Sequence, residues 1–168
     1  MSSADPGIER LNALPRDQAV AELLQCCGSR AWAETMVDAR PFASRDALLD
    51  TADAVWRVLA REDWLEAFRA HPRIGERAAA EHHGAEWSEQ EQAAVLGAGD
   101  EARAELAALN RLYEQRFGYI FLICATGLAA ADILEALRWR VDSDPAAELH
   151  IAGEEQRKIT RLRLERLL

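Results

Sequence analysis

The chain has 168 residues, 49% of them apolar, and a formal net charge of −9. That length suffices for one domain with a buried core, and the composition is too apolar for disorder. The charge is wrong for a surface that grips nucleic-acid phosphates or an anionic membrane, though it leaves room for an anionic small molecule held by a few local cations.

Alanine, leucine, glutamate and arginine dominate, and β-branched residues are sparse. These are helix formers, so the expectation is an all-α fold: a single-domain bundle of roughly seven to nine helices over residues 1–168. The opening "MSSADPGIERLN" has no apolar h-region of a signal peptide. Residues 17–27, "DQAVAELLQCC", carry apolar positions at helical spacing behind Asp17, which reads as the cap, and Gly28 ends the segment. "SRAWAETMVDAR" predicts a second helix that stops before Pro41. Ser44 then starts a third, with Leu48, Ala52, Val55 and Leu59 on one face. "EDWLEAFRA" predicts a short helix ending near His71-Pro72.

Residues 72–86 hold two glycines, few apolar groups and no period, and read as a surface loop of a length that is often functional. Residues 87–117 predict one long helix despite Gly97 and Gly99. "FGYIFLICATG" is apolar, aromatic and bounded by Gly118 and Gly127; periodicity leaves a buried helix and a stretched segment equally open. It is also too short to span a membrane. "LAAADILEALRWRVDS" and residues 144–168 predict two closing helices, the last with Asp144 as cap and Pro145 at its first position. The final "RLL" is not a peroxisomal address.

The titratable groups crowd into "RAHPRIGERAAAEHHGAEWSEQEQ". His71, fixed beside Pro72, suits general acid or base work, and equally suits a helix-ending ring with a hydrogen-bond partner. Ser88 and Glu91 have the spacing of a capping box, with Trp87 as its staple. The staple partner would be Gln92, a polar amide where packing favours an apolar group, so Glu91 and Gln92 also read as facing a ligand. His71, His82, His83 and Glu86 invite a metal reading, but their spacing matches no zinc signature. Cys26, Cys27 and Cys124 form no C-x-x-C, and a reducing compartment fits them. In the last helix Arg163 shares a face with Ile159 and Leu162, where it needs a glutamate or a substrate carboxylate, while Arg157 and Arg161 fall on the other side.

Four motifs taken in order, "HPRIG", "SEQEQ" with Glu91 twenty residues after His71, "NRLYEQRFGYIFLICATG" and "KITRLRL", resemble the 2-oxo-4-hydroxy-4-carboxy-5-ureidoimidazoline (OHCU) decarboxylases. The resemblance runs from about residue 10 to the end. It implies an all-helical bundle, usually a homodimer. It implies decarboxylation of OHCU to (S)-allantoin in urate breakdown, with neither metal nor organic cofactor. It makes His71 the acid-base group and Glu91 its catalytic partner. Pro72, Ser88, Glu89, Gln90, Glu91 and Gln92 then form the substrate-binding stretch. Phe121, Leu122, Ile123, Cys124 and Ala125 meet the ligand largely through their backbone, and Arg163 holds its anionic or ureido part. Many relatives carry a proline where this chain has Ile120. The H-P-R-I-G form is that of the bacterial branch, and the cytoplasm is the expected compartment. Two other readings stand beside this one: an inactive helical module that binds allantoin-like ureides, and a metal-dependent hydrolase using the histidine-rich loop.

Overall fold

A computed structural model describes residues 5–76 and 84–168. The described residues form ten helices and no strand: α1 (Pro6–Ala13), α2 (Arg16–Cys26), α3 (Arg30–Asp38), α4 (Arg45–Val58), α5 (Arg61–Arg69), α6 (Ala85–Glu91), α7 (Ala93–Leu96), α8 (Asp100–Phe117), α9 (Ala130–Arg140) and α10 (Pro145–Leu167). The all-α expectation is met. They gather into two compact units, residues up to Ala67 with Arg157–Leu168, and Phe68–Gln156.

In the first unit α1 was not anticipated, because Ile8 and Leu11 are too few to declare a period. It forms because Asp5 accepts a hydrogen bond from the Gly7 N–H at 2.9 Å and Pro6 enters at the first turn. Asp17 is not a cap. Extended Pro15 holds that position, α2 starts at Arg16, and Asp17 lies in the first turn, where its charge favours the helix dipole. Ser29 and Ser44 do cap α3 and α4, through hydrogen bonds from Trp32 N–H (3.2 Å) and Ala47 N–H (3.1 Å). Leu11, Leu23, Trp32, Met36 and Leu48 are fully buried, each stabilising by about 1.5–3 kcal/mol relative to exposure. The Arg40 guanidinium donates to the carbonyls of Leu11, Leu14 and Val37 at the ends of α1 and α3. Asp53 receives Arg157 at 3.2 Å and Arg161 at 3.1 Å, one turn apart on α10.

Cys26 and Cys27 are buried in this unit. Burial pushes the Cys27 thiol up to about 12 from an ordinary 9.0, and raises Cys26 for the same reason. Between those values the folded thiol keeps its proton while the unfolded one loses it. The stability present below pH 9 therefore declines as pH rises, by about 1 kcal/mol per pH unit for each thiol. Urea melts near pH 8 and about pH 10 should show this loss, and a Cys26→Ala/Cys27→Ala variant should show a shallower one.

In the second unit the single helix expected over 87–117 is three. Ser88 lies inside α6 and its N–H bonds the Gly84 carbonyl at 2.9 Å, so the capping box and its Trp87 staple do not form. Gly84 holds the cap position instead, at a φ of 66°. The chain breaks again at Gln92 and at Gly97–Gly99, where glycines cost a helix about 1 kcal/mol each. These two breaks, with α1, carry the total past the seven to nine expected. α8 stops at Gly118, whose φ of 82° no side-chain-bearing residue adopts cheaply. Residues 119–125 then run without helix or strand, which decides the open choice for the stretched form. Tyr113 anchors it, with its ring 5.9 Å from Tyr119 and 5.5 Å from Phe121. α10 opens as expected, Asp144 accepting from Ala147 N–H at 3.2 Å. Much of the loop expected over 72–86, His82 and His83 included, lies outside the described residues.

Candidate active site

His71 follows the end of α5, its N–H bonded to the Phe68 carbonyl at 3.1 Å. The ring is half-buried, and its Nε2 lies 2.8 Å from Oε1 of Gln156, a fully buried side chain on α10. One residue earlier on α10, Glu155 accepts from the Cys124 N–H at 3.1 Å. Two adjacent residues of one helix thus hold the imidazole and the stretched segment.

The chain after His71 is pinned from α6–α8. Gln92 Oε1 accepts from the Gly75 N–H at 2.8 Å, and Asn110 Nδ2 donates to the Ile74 carbonyl at 3.0 Å. Gly75 needs its freedom here, for its φ is 89° and a Cβ would meet Leu106 at 3.0 Å. Glu91, half-buried, precedes Gln92, so the same bond brings the end of α6 to the His71–Gly75 strip. Gln92→Leu would leave the Gly75 N–H unmatched. An expected loss of about 1–3 kcal/mol, read by urea denaturation, checks this.

Behind the stretched segment lies a buried ionic network. Arg140 donates through Nε (2.8 Å) and Nη2 (2.6 Å) to Glu148 Oε1, and through Nη1 to the Leu122 carbonyl at 2.7 Å. Its guanidinium carbon sits 4.6 Å from the centre of the Phe121 ring. Tyr113 also donates to Glu148 Oε1, and burial followed by that hydrogen bond pushes its phenol well above the usual range.

The residues expected from the sequence are therefore placed as follows. His71, Pro72 and Glu91 are half-buried, Ser88 and Gln92 are buried, Glu89 is half-buried and Gln90 is exposed. Phe121, Leu122, Ile123 and Ala125 are buried and Cys124 is half-buried. Arg163 belongs to the first unit, where it is buried as its shared face with Ile159 suggested, and its Nη1 donates to the Gln25 carbonyl at 3.1 Å. The metal reading rests on His82 and His83, which lie outside the described residues. Gln156, Glu155, Asn110 and Arg140 were missed. A signal existed for the first: Ala152, Gln156, Ile159, Thr160 and Arg163 form one buried stripe of α10, and three of the five are polar.

The sequence profile described as OHCU decarboxylase matches residues 12–165. The chain belongs to the OHCU decarboxylase family. It is 30% identical over 158 residues to a 2-oxo-4-hydroxy-4-carboxy-5-ureidoimidazoline decarboxylase of Haloferax volcanii, covering 94% of this chain and 93% of that one. It is 40% identical over 145 residues to a uric acid degradation bifunctional protein of Arabidopsis thaliana, covering 84% of this chain but only 45% of that relative. Among solved structures, an OHCU decarboxylase crystallised in the presence of (S)-allantoin superposes with a TM-score of 0.76 at 38% identity, over 88% of this chain and 96% of the other. An (S)-allantoin synthase shares the family fold at 20% identity and a TM-score of 0.73, over 96% of this chain and 54% of the other.

Proposed function

We infer that this chain decarboxylates OHCU to (S)-allantoin, a step of urate breakdown. The carrying observation is the family match over residues 12–165, which includes His71, Glu91 and the stretched segment. The crystallisation of a 38%-identical relative with (S)-allantoin supports the product.

The chemistry asks for little beyond position. Loss of CO2 leaves an electron pair that the neighbouring ring C=N of the substrate accepts, so the substrate brings its own sink and no cofactor is called for. The enol-like intermediate must then be protonated on one face. His71 is the proton donor in this reading, and Glu91 polarises the substrate hydroxyl or orients the ureido group. Gln92 spends its carbonyl oxygen on Gly75, and in this reading the NH2 of the same amide donates to the ligand. Backbone groups of Phe121–Ala125 other than those held by Glu155, Arg140 and Leu128 suit an imidazoline and its ureido arm. Pro72, Ser88, Glu89 and Gln90 complete the stretch, and Arg163 supplies the cation for the substrate's anionic part.

A homodimer belongs to this reading, with exposed Trp139 and Leu112 as side chains that a second copy would cover. So does a reducing bacterial cytoplasm, which three free cysteines support. Among the described residues no helix is long and apolar enough to cross a membrane. The test is a coupled reaction from urate followed by circular dichroism. Spontaneous decay gives racemic allantoin, so an optical signal that grows with added protein is expected. A racemic product at the uncatalysed rate would overturn the assignment.

A further inference from the structure

We propose that Gln156 is a positioning residue that holds His71 in its Nε2-protonated tautomer, so that the ring exchanges its proton with the substrate through Nδ1. This rests on the decarboxylase reading for its kinetic part, though not for its structural part. The observation is the 2.8 Å contact between Gln156 Oε1 and His71 Nε2. An amide oxygen only accepts, so the ring nitrogen facing it carries the hydrogen. The Gln156 side chain is fully buried on α10, where it has few rotamers to wander among, and a buried carboxamide oxygen without a donor costs about 1–3 kcal/mol. The bond therefore fixes both the plane of the ring and the location of one proton.

The kind of partner matters. A carboxylate here would add a full negative charge and favour the imidazolium in every state of the cycle. A carboxamide orients the ring while leaving it free to pass between charged and neutral forms. During turnover the imidazolium gives the Nδ1 proton to the carbon that becomes the stereocentre. That imidazolium arises when Nδ1 takes the proton of the substrate hydroxyl. The pair released by CO2 loss becomes the enol C=C as the C=N pair moves onto the ring nitrogen, which is protonated from solvent. The C=C pair then forms the new C–H bond as C–O becomes C=O. His71 is left neutral with its hydrogen on Nε2, the form Gln156 already stabilises. Product and resting ring thus coincide, with no tautomer exchange needed at the end of the step.

The experiment has a spectroscopic and a kinetic arm. Imidazole nitrogen NMR of the ligand-free protein, at a pH where the ring is neutral, is expected to show His71 protonated at Nε2; a ring protonated at Nδ1 overturns the proposal. Gln156→Met, similar in volume but without the acceptor, is expected to lower kcat about tenfold or more with KM little changed and to mix the tautomers. Gln156→Glu restores an acceptor oxygen and is expected to keep Nε2 protonated and to recover kcat above the Met variant. An unchanged kcat in Gln156→Met, or a Glu variant whose neutral ring is protonated at Nδ1, also overturns it. Should Gln156→Met fail to fold, the wild-type spectrum and the Glu variant still decide. The NMR arm uses no substrate, so racemic allantoin from a wild type with an Nε2-protonated ring would count against the decarboxylase reading alone.

Discussion

Replacing His71 with asparagine is expected to slow stereospecific allantoin formation by about 100- to 10,000-fold, the usual weight of one acid-base group. Glu91→Gln should fall in the same range, since it keeps the shape of the side chain and removes its charge. Both side chains are half-buried, so far-UV circular dichroism should stay near wild type. The urea midpoint should hold for Glu91→Gln, while His71→Asn should lose up to about 1–3 kcal/mol of stability, because it removes the ring donor to buried Gln156. The measurement is the initial slope of the optical signal in the coupled assay. Near wild-type turnover by either folded variant would remove that residue from the chemistry. The two losses are not expected to add, because one proton donor and one orienting carboxylate serve the same transition state.

Glu148→Ala is expected to cost more stability than any other single change discussed, about 3–5 kcal/mol. The reason is what it leaves behind. Glu148 and Arg140 are both almost fully buried, and one carboxylate oxygen accepts from Tyr113 and twice from Arg140. Truncation strands a guanidinium and a phenol in an apolar interior. A shift of the urea midpoint, with the slope unchanged, would measure the loss. A change of both members to apolar residues of similar volume, Arg140→Met with Glu148→Leu, should recover part of it, because the uncompensated charge is then gone. Recovery of stability need not restore activity, as Arg140 also holds the Leu122 carbonyl.

The sequence was most legible where one local rule acted alone. Ser44 and the Asp144–Pro145 pair open their helices as capping chemistry dictates. It was least legible between Gly84 and Gly118. There Ser88 and Glu91 spell a capping box, yet the helix begins four residues earlier, since Gly84 supplies the turn and the Ser88 side chain goes to the interior. Gln92 was singled out as polar where packing wants an apolar group. The cause is a bond to Gly75, seventeen residues away in the chain, which no local pattern reveals. The polar members of α10 were half-visible. Arg163 drew notice for its charge, while Gln156, seven residues earlier in the same buried stripe, did not, because an uncharged amide on an apolar face stands out less than a cation.

The adjacency of Glu155 and Gln156 makes α10 a ruler for the second unit. Successive residues on a helix diverge by about 100°, so one grips the Cys124 amide and the other the His71 ring along two fixed directions. A residue inserted between Pro145 and Glu154 would swing both grips together by that same angle. In this chain the count of residues within the first three turns of α10 therefore sets both contacts at once.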